Sequence, residues 1–468
     1  MPQAAPAVPQ ADEGLVRAIG LGSAILFVIG SVIGSGIFLT TGGMAAHIPS
    51  APLLLLAWTL GGVLALTGGL TYAEMGAMFP RSGGVYVFLR EAYGSLPAFL
   101  YGWAAMFVVL SGGIAAVAVG FAEYLSYFIA PLGLSNVLWS TGTPLGTFSL
   151  SAGQLVAASS IVVLGAINYV GVRSGNLVNA AITAAKVSAL AALPVMALVA
   201  ARVEPAFTPV VPPDVARPAA AFGVAMIAVL WTYEAWYFVT YAAGEIKDPE
   251  RNVPLALVFG ILALTAIYLA VNVAYFFALT IDEMRGVTRI GERAATALVG
   301  PSGATFVALT VVVSTFGCNV AALLAGSRVL FAMAVDGVFF PAASRVHHVY
   351  RTPHVAIVGL TVWSAILALS GTYEQLFTYV MFASILFNVA GGLALFRLRW
   401  ARPHLPRPYR TWGYPVVPLV FIGGSVAFVI NTLLERPSES FIGLGLVALG
   451  LPAYWYWKNR SQLREAGS

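Results

Sequence analysis

The chain has 468 residues, of which 59% are hydrophobic and 9% are charged, and its mean hydropathy is +0.87. Soluble domains carry about 25% charged residues, so this composition excludes a soluble globular protein and indicates a polytopic membrane protein. The net charge of +5 reflects 24 Lys and Arg against 19 Asp and Glu. These charges follow the membrane topology, as described below, and no nucleic-acid partner is expected.

Twelve apolar stretches follow one another along the chain without an intervening soluble domain. A bilayer core of about 30 Å requires roughly 18 or more apolar residues in a helix. The predicted fold class is therefore an all-α polytopic membrane protein with twelve transmembrane helices, surrounded by the lipid bilayer. The predicted spans are residues 19–43, 51–79, 94–129, 152–170, 177–201, 219–243, 254–280, 302–333, 354–371, 373–396, 413–432 and 440–457.

The positive charges are distributed unevenly between the two sides of the predicted membrane. Sixteen of the 24 Lys and Arg lie on the side of the N terminus, six lie on the other side, and Lys186 and Arg328 lie within spans. The positive-inside rule therefore predicts that both termini are cytoplasmic. The predicted cytoplasmic tails are residues 1–18 and 458–468.

Motifs that would indicate an enzyme or an ATP-driven pump are absent from the sequence. There is no G-x-x-x-x-G-K-[S/T] loop and no G-x-S-x-G elbow. The five histidines have no surrounding Cys or carboxylate cluster, and the single cysteine, Cys318, lies within the eighth span and cannot form an internal disulfide. The sequence therefore predicts no enzymatic activity, no metal site and no cofactor.

The first span contains the sequence VIGSGIF, with Gly34, Ser35 and Gly36 at mid-membrane depth. Each glycine costs about 1 kcal/mol relative to alanine in a helix interior. The small residues serve either close helix packing or a break in the helix, which is tolerated only where the backbone lines a cavity. A half-helix that begins at Ile37 would present the Ser35 and Gly36 N–H groups to an anion such as a carboxylate.

A lysine inside a membrane span is a functional hypothesis by default. Lys186 lies two to three turns into the fifth span. Either its side chain reaches back to the membrane surface, or its ammonium group donates to the backbone carbonyls that a break in span one would free.

Two ion pairs are expected near the cytoplasmic ends of spans. Glu74 and Arg81 are close together in the sequence, and Arg328 and Asp336 lie on the same span. We expect Glu74 to pair with Arg81, and Arg328 to pair with Asp336.

The sixth span carries bulky, polar and acidic residues where a lipid-facing helix would be aliphatic: Thr232, Tyr233, Glu234, Ala235 and Trp236. If this span also breaks, the carbonyl end of its first half attracts a cation such as an ammonium group. A positive helix end facing a negative one predicts a site for a zwitterion, namely an amino acid. Three roles for Glu234 stay open: binding the substrate amine, carrying a proton, or pairing with a nearby hydroxyl.

Five sequence blocks resemble the amino acid–polyamine–organocation superfamily, closest to the L-type amino acid transporter branch and its bacterial relatives. They are VIGSGIF in span one, AEMGAMFPRSGGVYVFLREAYG at 73–94, TAAKVSAL around Lys186, EIKDPERNVP at 245–254 and AGSRVLFAMAVDG at 325–337. The resemblance implies the leucine-transporter fold, with inverted five-helix repeats at 19–201 and 219–396 and two further helices within 413–457.

The resemblance also implies roles for site residues. The amides of Ser35 and Gly36, beside Gly34, would hold the substrate carboxylate, and Lys186 would occupy the place of sodium in sodium-coupled relatives. Trp231 would close over the substrate as a gate. The substrate amine would be held by carbonyls around Val32, Ile33, Trp231, Thr232 and Glu234.

The function predicted is a sodium-independent, alternating-access exchange of neutral L-amino acids. The alternative is proton-coupled uptake of cationic amino acids or polyamines, since Glu234-Ala235 stands where this branch usually has a small or short acidic residue. Animal members carry an outer-loop cysteine for a disulfide to a heavy subunit, whereas the loop at 130–151 has none. We therefore expect a protein that works without such a subunit in a bacterial inner membrane.

Overall fold

The computed structural model describes residues 17–143, 146–171, 175–213, 215–371 and 373–466, so most of the predicted N-terminal tail and the last two residues lie outside the described residues. The helices up to residue 200 are α1 (Leu21–Val32), α2 (Gly36–His47), α3 (Ala51–Met78), α4 (Val85–Tyr93), α5 (Ser95–Ala104), α6 (Leu110–Leu125), α7 (Ala152–Val170) and α8 (Gly175–Ala200). Those that follow are α9 (Pro218–Tyr233), α10 (Phe238–Tyr241), α11 (Pro249–Ala278), α12 (Ile281–Met284), α13 (Ile290–Val299), α14 (Pro301–Val335), α15 (His354–Ala368), α16 (Tyr373–Ala401), α17 (Val416–Glu435), α18 (Pro437–Ala448) and α19 (Gly450–Ala466).

Short elements complete the chain. A π-helical turn at Ala105–Val109 joins α5 to α6, and 3-10 turns occupy Ala130–Leu132, Ala243–Glu245 and Pro341–Ser344. Strands β1 (Val137–Thr143) and β2 (Gly146–Ser151) form an antiparallel hairpin between the third and fourth spans.

The described helices account for all twelve predicted spans. Eight are long and apolar enough to cross a membrane, and α1 with α2 forms one further, bent span. Shorter apolar helical segments lie where the fifth, sixth and ninth spans are predicted. They are the part Lys186–Ala200 of α8, helix α9 (Pro218–Tyr233) and helix α15 (His354–Ala368). Large apolar side chains such as Leu198 and Val199, both 84% exposed, lie on the outer surface, as contact with lipid requires.

The first and sixth spans are both interrupted near their middles. Helix α1 ends at Val32 and α2 begins at Gly36, with an angle of 41° between them. Helix α9 ends at Tyr233, and α10 begins only at Phe238. The break predicted from the glycines of span one is therefore confirmed, and Glu234, Ala235 and Trp236 of the polar segment in span six lie outside the helices.

The two broken spans approach each other closely because Gly36 has no side chain. A Cβ atom at Gly36 would lie 2.5 Å from Oγ1 of Thr232. Helix α11 packs beside α1 and supports this pair from one side. The glycine that begins α2 therefore allows span six to lie directly against the break in span one.

The predicted Glu74–Arg81 pair is wrong. Glu74 is fully buried and binds Arg399, with Oε1–Nε and Oε2–Nη2 distances of 2.9 and 2.6 Å, while Arg81 pairs with Glu91. The backbone N–H of Thr411 also donates to Glu74 Oε2, at 2.7 Å. Glu74 therefore fixes span two to the chain segment that follows span ten.

The predicted Arg328–Asp336 pair is also wrong. Eight residues of helix separate two side chains by about 12 Å along the axis, which is too far for an ion pair. Arg328 binds Glu245 at 2.6 Å, and Asp336 pairs with Arg90 and accepts a hydrogen bond from Tyr86. Both residues therefore connect α14 and its C-terminal end to segments that lie between other spans.

Candidate substrate site

A cavity of about 60 Å³ lies between spans one, three, six, eight and ten. Its walls include both helix breaks, so backbone groups that lack helical partners border the same space. The lining residues are Ser31, Val32, Gly34, Ser35, Gly36, Val109, Leu110, Gly113, Ile114, Val117, Trp231, Thr232, Glu234, Ala235, Tyr237, Phe238, Cys318, Asn319, Ala322 and Val380.

Seven of the eight residues predicted from spans one and six line this cavity: Val32, Gly34, Ser35, Gly36, Trp231, Thr232 and Glu234. The exception is Ile33, which is fully buried outside it. The carbonyl oxygen of Ile33 accepts hydrogen bonds from Lys186 and from Ser314, at 3.2 and 3.0 Å. Because a carbonyl oxygen has two lone pairs, the prediction that Ile33 holds the substrate amine does not fit this geometry.

The start of α2 has the arrangement expected of an anion site. Ser35 is the N-cap residue, and its side chain does not cap the helix. The first amides of a helix have no carbonyl partner in the preceding turn, and they carry the positive end of the helix dipole. The amides of this segment therefore lie at the cavity wall, where a carboxylate can bind.

The side chain of Lys186 lies against the span-one break inside the protein. Its side chain is buried, and Nζ donates to the carbonyl oxygens of Gly30 and Ile33, at 3.1 and 3.2 Å. The thiol of Cys318 donates to the carbonyl of Ser31 at 3.2 Å. The contact predicted for Lys186 is thus present, and its side chain does not reach back to the membrane surface.

A tyrosine from span seven lies between the two breaks. The hydroxyl of Tyr268 is 3.3 Å from the carbonyl oxygen of Val32 and 3.2 Å from that of Thr232. A hydroxyl carries one proton, so the two carbonyls share one donor. Both therefore keep accepting capacity for a substrate ammonium group.

The side chain of Glu234 is held by neighbouring hydroxyl groups. Its Oε1 accepts hydrogen bonds from Tyr237, on the same segment, and from Ser384 of span ten, the latter at 2.5 Å. Glu234 also lines a second, smaller cavity of about 20 Å³ together with Asn388 and Ser425. The hydroxyl pairing is thus observed, and Glu234 lines both cavities.

Aromatic side chains pack against Trp231, which lines the cavity, where span ten begins. The indole N–H of Trp231 donates to the hydroxyl of Tyr373 at 2.8 Å, and Phe377 stacks on the indole with ring centroids 5.9 Å apart. The hydroxyl of Tyr373 also accepts a hydrogen bond from Ser35, at 3.2 Å. Trp231 is therefore fixed to both span ten and the span-one break.

Polar contacts join the segment that follows span six to the start of the described chain. The backbone N–H of Ile19 donates to the carbonyl of Glu245, and the N–H of Lys247 donates to the carbonyl of Ile19, at 3.0 and 2.8 Å. The ion pair between Arg328 and the Glu245 side chain joins span eight to the same segment. Aromatic contacts thus join span six to span ten, whereas polar contacts join the segment after span six to the start of the described chain and to span eight.

The amino acid permease family model matches residues 19–444. The chain belongs to this family. It is 31% identical to the serine/threonine exchanger SteT of Bacillus subtilis, over 96% of this chain and 98% of that protein. It is 30% identical to the human large neutral amino acids transporter small subunit 2, over 97% of this chain and 84% of that protein. The chain is also 28% identical to the human b(0,+)-type amino acid transporter 1, over 92% of this chain and 85% of that protein.

Family membership and the twelve described segments together establish several predictions. The permease is a multi-pass membrane protein with the leucine-transporter fold, and it transports amino acids rather than catalysing a reaction. The predicted resemblance to the superfamily and its L-type branch is confirmed by these relatives.

Sequence reasoning missed several residues of the permease site. Tyr268, Tyr373 and Asn319 lie in or beside the cavity, although none was singled out in the sequence. Each is a polar residue within a predicted span, which is the only signal that the sequence offers. The helical face that each occupies depends on the packing of spans seven, eight and ten.

Proposed function

We propose that the permease is a sodium-independent exchanger of neutral L-amino acids that works by alternating access. The observation that carries the proposal is the single cavity bordered by the start of α2 and the end of α9. The amides of Ser35 and Gly36 bind the carboxylate, and the carbonyls of Val32 and Thr232 accept from the amine. The names of two relatives, a serine/threonine exchanger and a large neutral amino acids transporter, support a neutral substrate.

Sodium independence rests on the position of Lys186. Its ammonium group already donates to two carbonyls of the span-one break. A sodium ion at the same carbonyls would lie beside a fixed positive charge in a low-dielectric interior, where like charges repel strongly. The lysine thus supplies the charge that a coupled cation would bring.

Alternating access requires that the two ends of the cavity open in turn. At one end, opening separates Trp231 from Tyr373, and at the other it separates Glu245 from Arg328. Bound substrate connects span one to span six and favours the rearrangement of both ends, as a ligand does when it binds one state more tightly.

The proposal includes the remaining topology and partner predictions. Both termini lie in the cytoplasm, the membrane is a bacterial inner membrane, and the repeats occupy 19–201 and 219–396. The sole cysteine, Cys318, is buried in span eight, which supports a protein without a disulfide-linked heavy subunit.

Uptake into proteoliposomes containing the purified protein tests exchange. Labelled alanine or leucine is supplied without sodium, with or without unlabelled amino acid inside the vesicles. Uptake that depends on internal amino acid and is unchanged by added sodium is expected. Uptake driven by sodium, or equal uptake into empty vesicles, would overturn the exchanger proposal.

The gate is tested by Trp231→Ala, with Trp231→Phe as the conservative variant. Loss of the indole removes the contacts with Tyr373 and Phe377, so preloaded amino acid should leave Trp231→Ala vesicles without any external substrate. The Phe variant should retain more coupling because it keeps an aromatic ring. Tight coupling and normal exchange in the Ala variant would show that the gate lies elsewhere.

A second candidate function is proton-coupled uptake of cationic amino acids or polyamines. The observation that favours it is the carboxyl group of Glu234 at the wall of the cavity. Under this alternative, Glu234→Gln abolishes the uptake of lysine or arginine, whereas Asp282→Asn, at an exposed carboxylate, does not. Unchanged uptake in Glu234→Gln excludes Glu234 as the charge that selects cations.

A further inference from the structure

Asn319 is a buried amide in the wall of the substrate cavity. It lies on α14, in span eight, and only 1% of its surface is exposed. It lines the cavity together with Ile114, Val117 and Ala322, whose side chains are apolar. Asn319 therefore introduces hydrogen-bonding capacity into an otherwise apolar part of the wall.

The orientation of the Asn319 amide follows from its one backbone contact. Its Nδ2 lies 3.1 Å from the carbonyl oxygen of Ile114. A carbonyl can only accept a hydrogen bond, so the nitrogen must face Ile114 and the oxygen must lie on the other side of the amide. The contact with span three therefore leaves the amide oxygen of Asn319, and not its nitrogen, to accept a hydrogen bond from another partner.

The oxygen of Asn319 lacks that partner in the part of the chain that the structure describes. Oδ1 is buried and accepts no hydrogen bond there. Among the buried side-chain nitrogen and oxygen atoms without a partner in the described residues, it alone belongs to a residue that lines the substrate cavity. A buried acceptor without a donor destabilises a protein, so its retention at this wall points to a donor that arrives with the substrate.

We propose that Oδ1 of Asn319 accepts a hydrogen bond from a hydroxyl group on the substrate side chain. The permease then prefers small hydroxyl-bearing amino acids to apolar amino acids of the same shape. This inference rests on the proposed function, because it places the substrate side chain in the cavity between spans one, three, six and eight.

The size and polarity of the cavity favour a short neutral donor. The cavity measures about 60 Å³, and the substrate carboxylate and amine occupy its part beside the helix breaks. A neutral amide oxygen satisfies a hydroxyl without bringing a charge into the apolar wall, whereas an ionised side chain would lose its hydration there. A one-carbon side chain that ends in a hydroxyl meets both conditions.

Two pairs of substrates of matched shape isolate the hydroxyl group. Threonine and valine differ by a hydroxyl in place of a methyl group, and serine and 2-aminobutyrate differ in the same way. Equilibrium binding of each to the purified wild-type protein is measured in detergent. We expect three- to tenfold tighter binding of the hydroxyl member of each pair, about the effect of one neutral hydrogen bond. Equal affinities within both pairs would overturn the inference without any variant.

The variant Asn319→Leu replaces the amide by an apolar side chain of similar size. It should bind valine at least as well as the wild type does, and its threonine-to-valine preference should fall to about one. Retained valine binding shows that the variant is folded, and a retained threonine preference would assign the selectivity to another residue.

Asn168→Leu is the matched control. The Nδ2 of Asn168 also donates to a backbone carbonyl, that of Leu164 at 3.0 Å, and the residue is buried in span four away from the cavity lining. The same chemical change there should leave the threonine-to-valine ratio unchanged. A ratio that falls equally in both variants would indicate a general structural effect and would count against Asn319.

Binding and exchange are measured separately so that the two proposals can fail separately. Threonine preference in binding without any exchange of amino acids would remove the exchanger function and leave the recognition by Asn319 intact. Exchange of threonine and valine at equal affinity would support the exchanger and remove that recognition.

Discussion

The breaks in spans one and six are stabilised in different ways. In span one, side chains from other helices satisfy the freed carbonyls: Lys186 from span five, and Ser314 and Cys318 from span eight. In span six, Tyr268 and Ser384 donate from spans seven and ten, and the segment also supplies contacts of its own. The N–H of Glu234 donates to the carbonyl of Trp231 at 3.1 Å. Tyr237 of the same segment then donates to the Glu234 side chain.

This difference assigns different mechanical roles to the two breaks. Span one is held by buried contacts that include an ammonium group, so its rearrangement would require that group to lose its acceptors. The contacts of span six with other spans are made by indole and hydroxyl donors, and part of its hydrogen bonding is local and can move with the segment. We therefore infer that span one is the fixed part of the site and that span six, which carries Trp231, is the part that moves.

The largest effect is expected from Lys186→Ala, which removes the charge that holds span one. Two charge-assisted hydrogen bonds are lost and a buried carbonyl loses its donor, so the free energy of unfolding should fall by about 2–5 kcal/mol. Amino acid exchange should be abolished. Thermal unfolding in detergent and exchange in proteoliposomes measure the two effects.

Lys247→Ala is the control for that change because its side chain is exposed. It should unfold and exchange like the wild type. A Lys186→Ala protein with wild-type stability and exchange would show that span one does not depend on this contact, and the assigned difference between the breaks would be lost.

The next largest effect is expected from Gly36→Ala, which separates the two breaks sterically. The new Cβ would meet Oγ1 of Thr232 at 2.5 Å, and overpacking of this kind costs about 1–3 kcal/mol. Exchange should fall by about tenfold or more, since 1.4 kcal/mol corresponds to a factor of ten. Initial rates of exchange at saturating internal substrate give this value.

Gly43→Ala lies on the same helix and faces open space, with no atom within 4 Å of the new Cβ. It should leave exchange unchanged and stabilise α2 by up to about 1 kcal/mol. Equal losses in Gly36→Ala and Gly43→Ala would mean that contact between the breaks has no special importance.

The two breaks also differ in how well the sequence predicts their structure. Paired glycines and a lysine within apolar spans have few physical explanations, so the span-one break and the Lys186 contact were each one of two alternatives that the residues offered. Glu74 gave a misleading signal, because its partner Arg399 lies 325 residues away in the sequence. Proximity along the chain favoured Arg81, and only the packing of span two against span ten decides between them.

Span six was predictable only in outline. Its polar and acidic residues indicated an irregular segment, but Ala235 gave no signal of its left-handed backbone, with φ of +74°. Alanine is a strong helix former, and local preference here is overridden by the contacts of Glu234 and Tyr237. The positions of Tyr268 and Asn319 were likewise hidden, since a polar residue in a span can face any of several neighbours.

A moderate effect is expected from Tyr268→Phe, which removes the donor shared between the two breaks. The carbonyls of Val32 and Thr232 lose their common hydroxyl, at a cost of about 1–3 kcal/mol in the free energy of unfolding. Tyr275→Phe is the matched control, because that hydroxyl donates to the carbonyl of Ile37, at 3.1 Å, and has no hydrogen bond to either break among the described residues. Substrate affinity should fall more in Tyr268→Phe than in the control, and the opposite order would remove Tyr268 as the link between the breaks.

The smallest effect is expected from Ala235→Gly, which tests whether span six stores backbone strain. Non-glycine residues in the left-handed region cost about 1–2 kcal/mol, whereas glycine adopts it freely. The greater entropy of glycine in the unfolded chain offsets part of this gain, so the folded protein should be stabilised by no more than about 1 kcal/mol. Ala322→Gly, in the regular helix α14 of the same cavity, should instead destabilise by about 1 kcal/mol. A destabilised Ala235→Gly protein would show that the segment holds its alanine without strain.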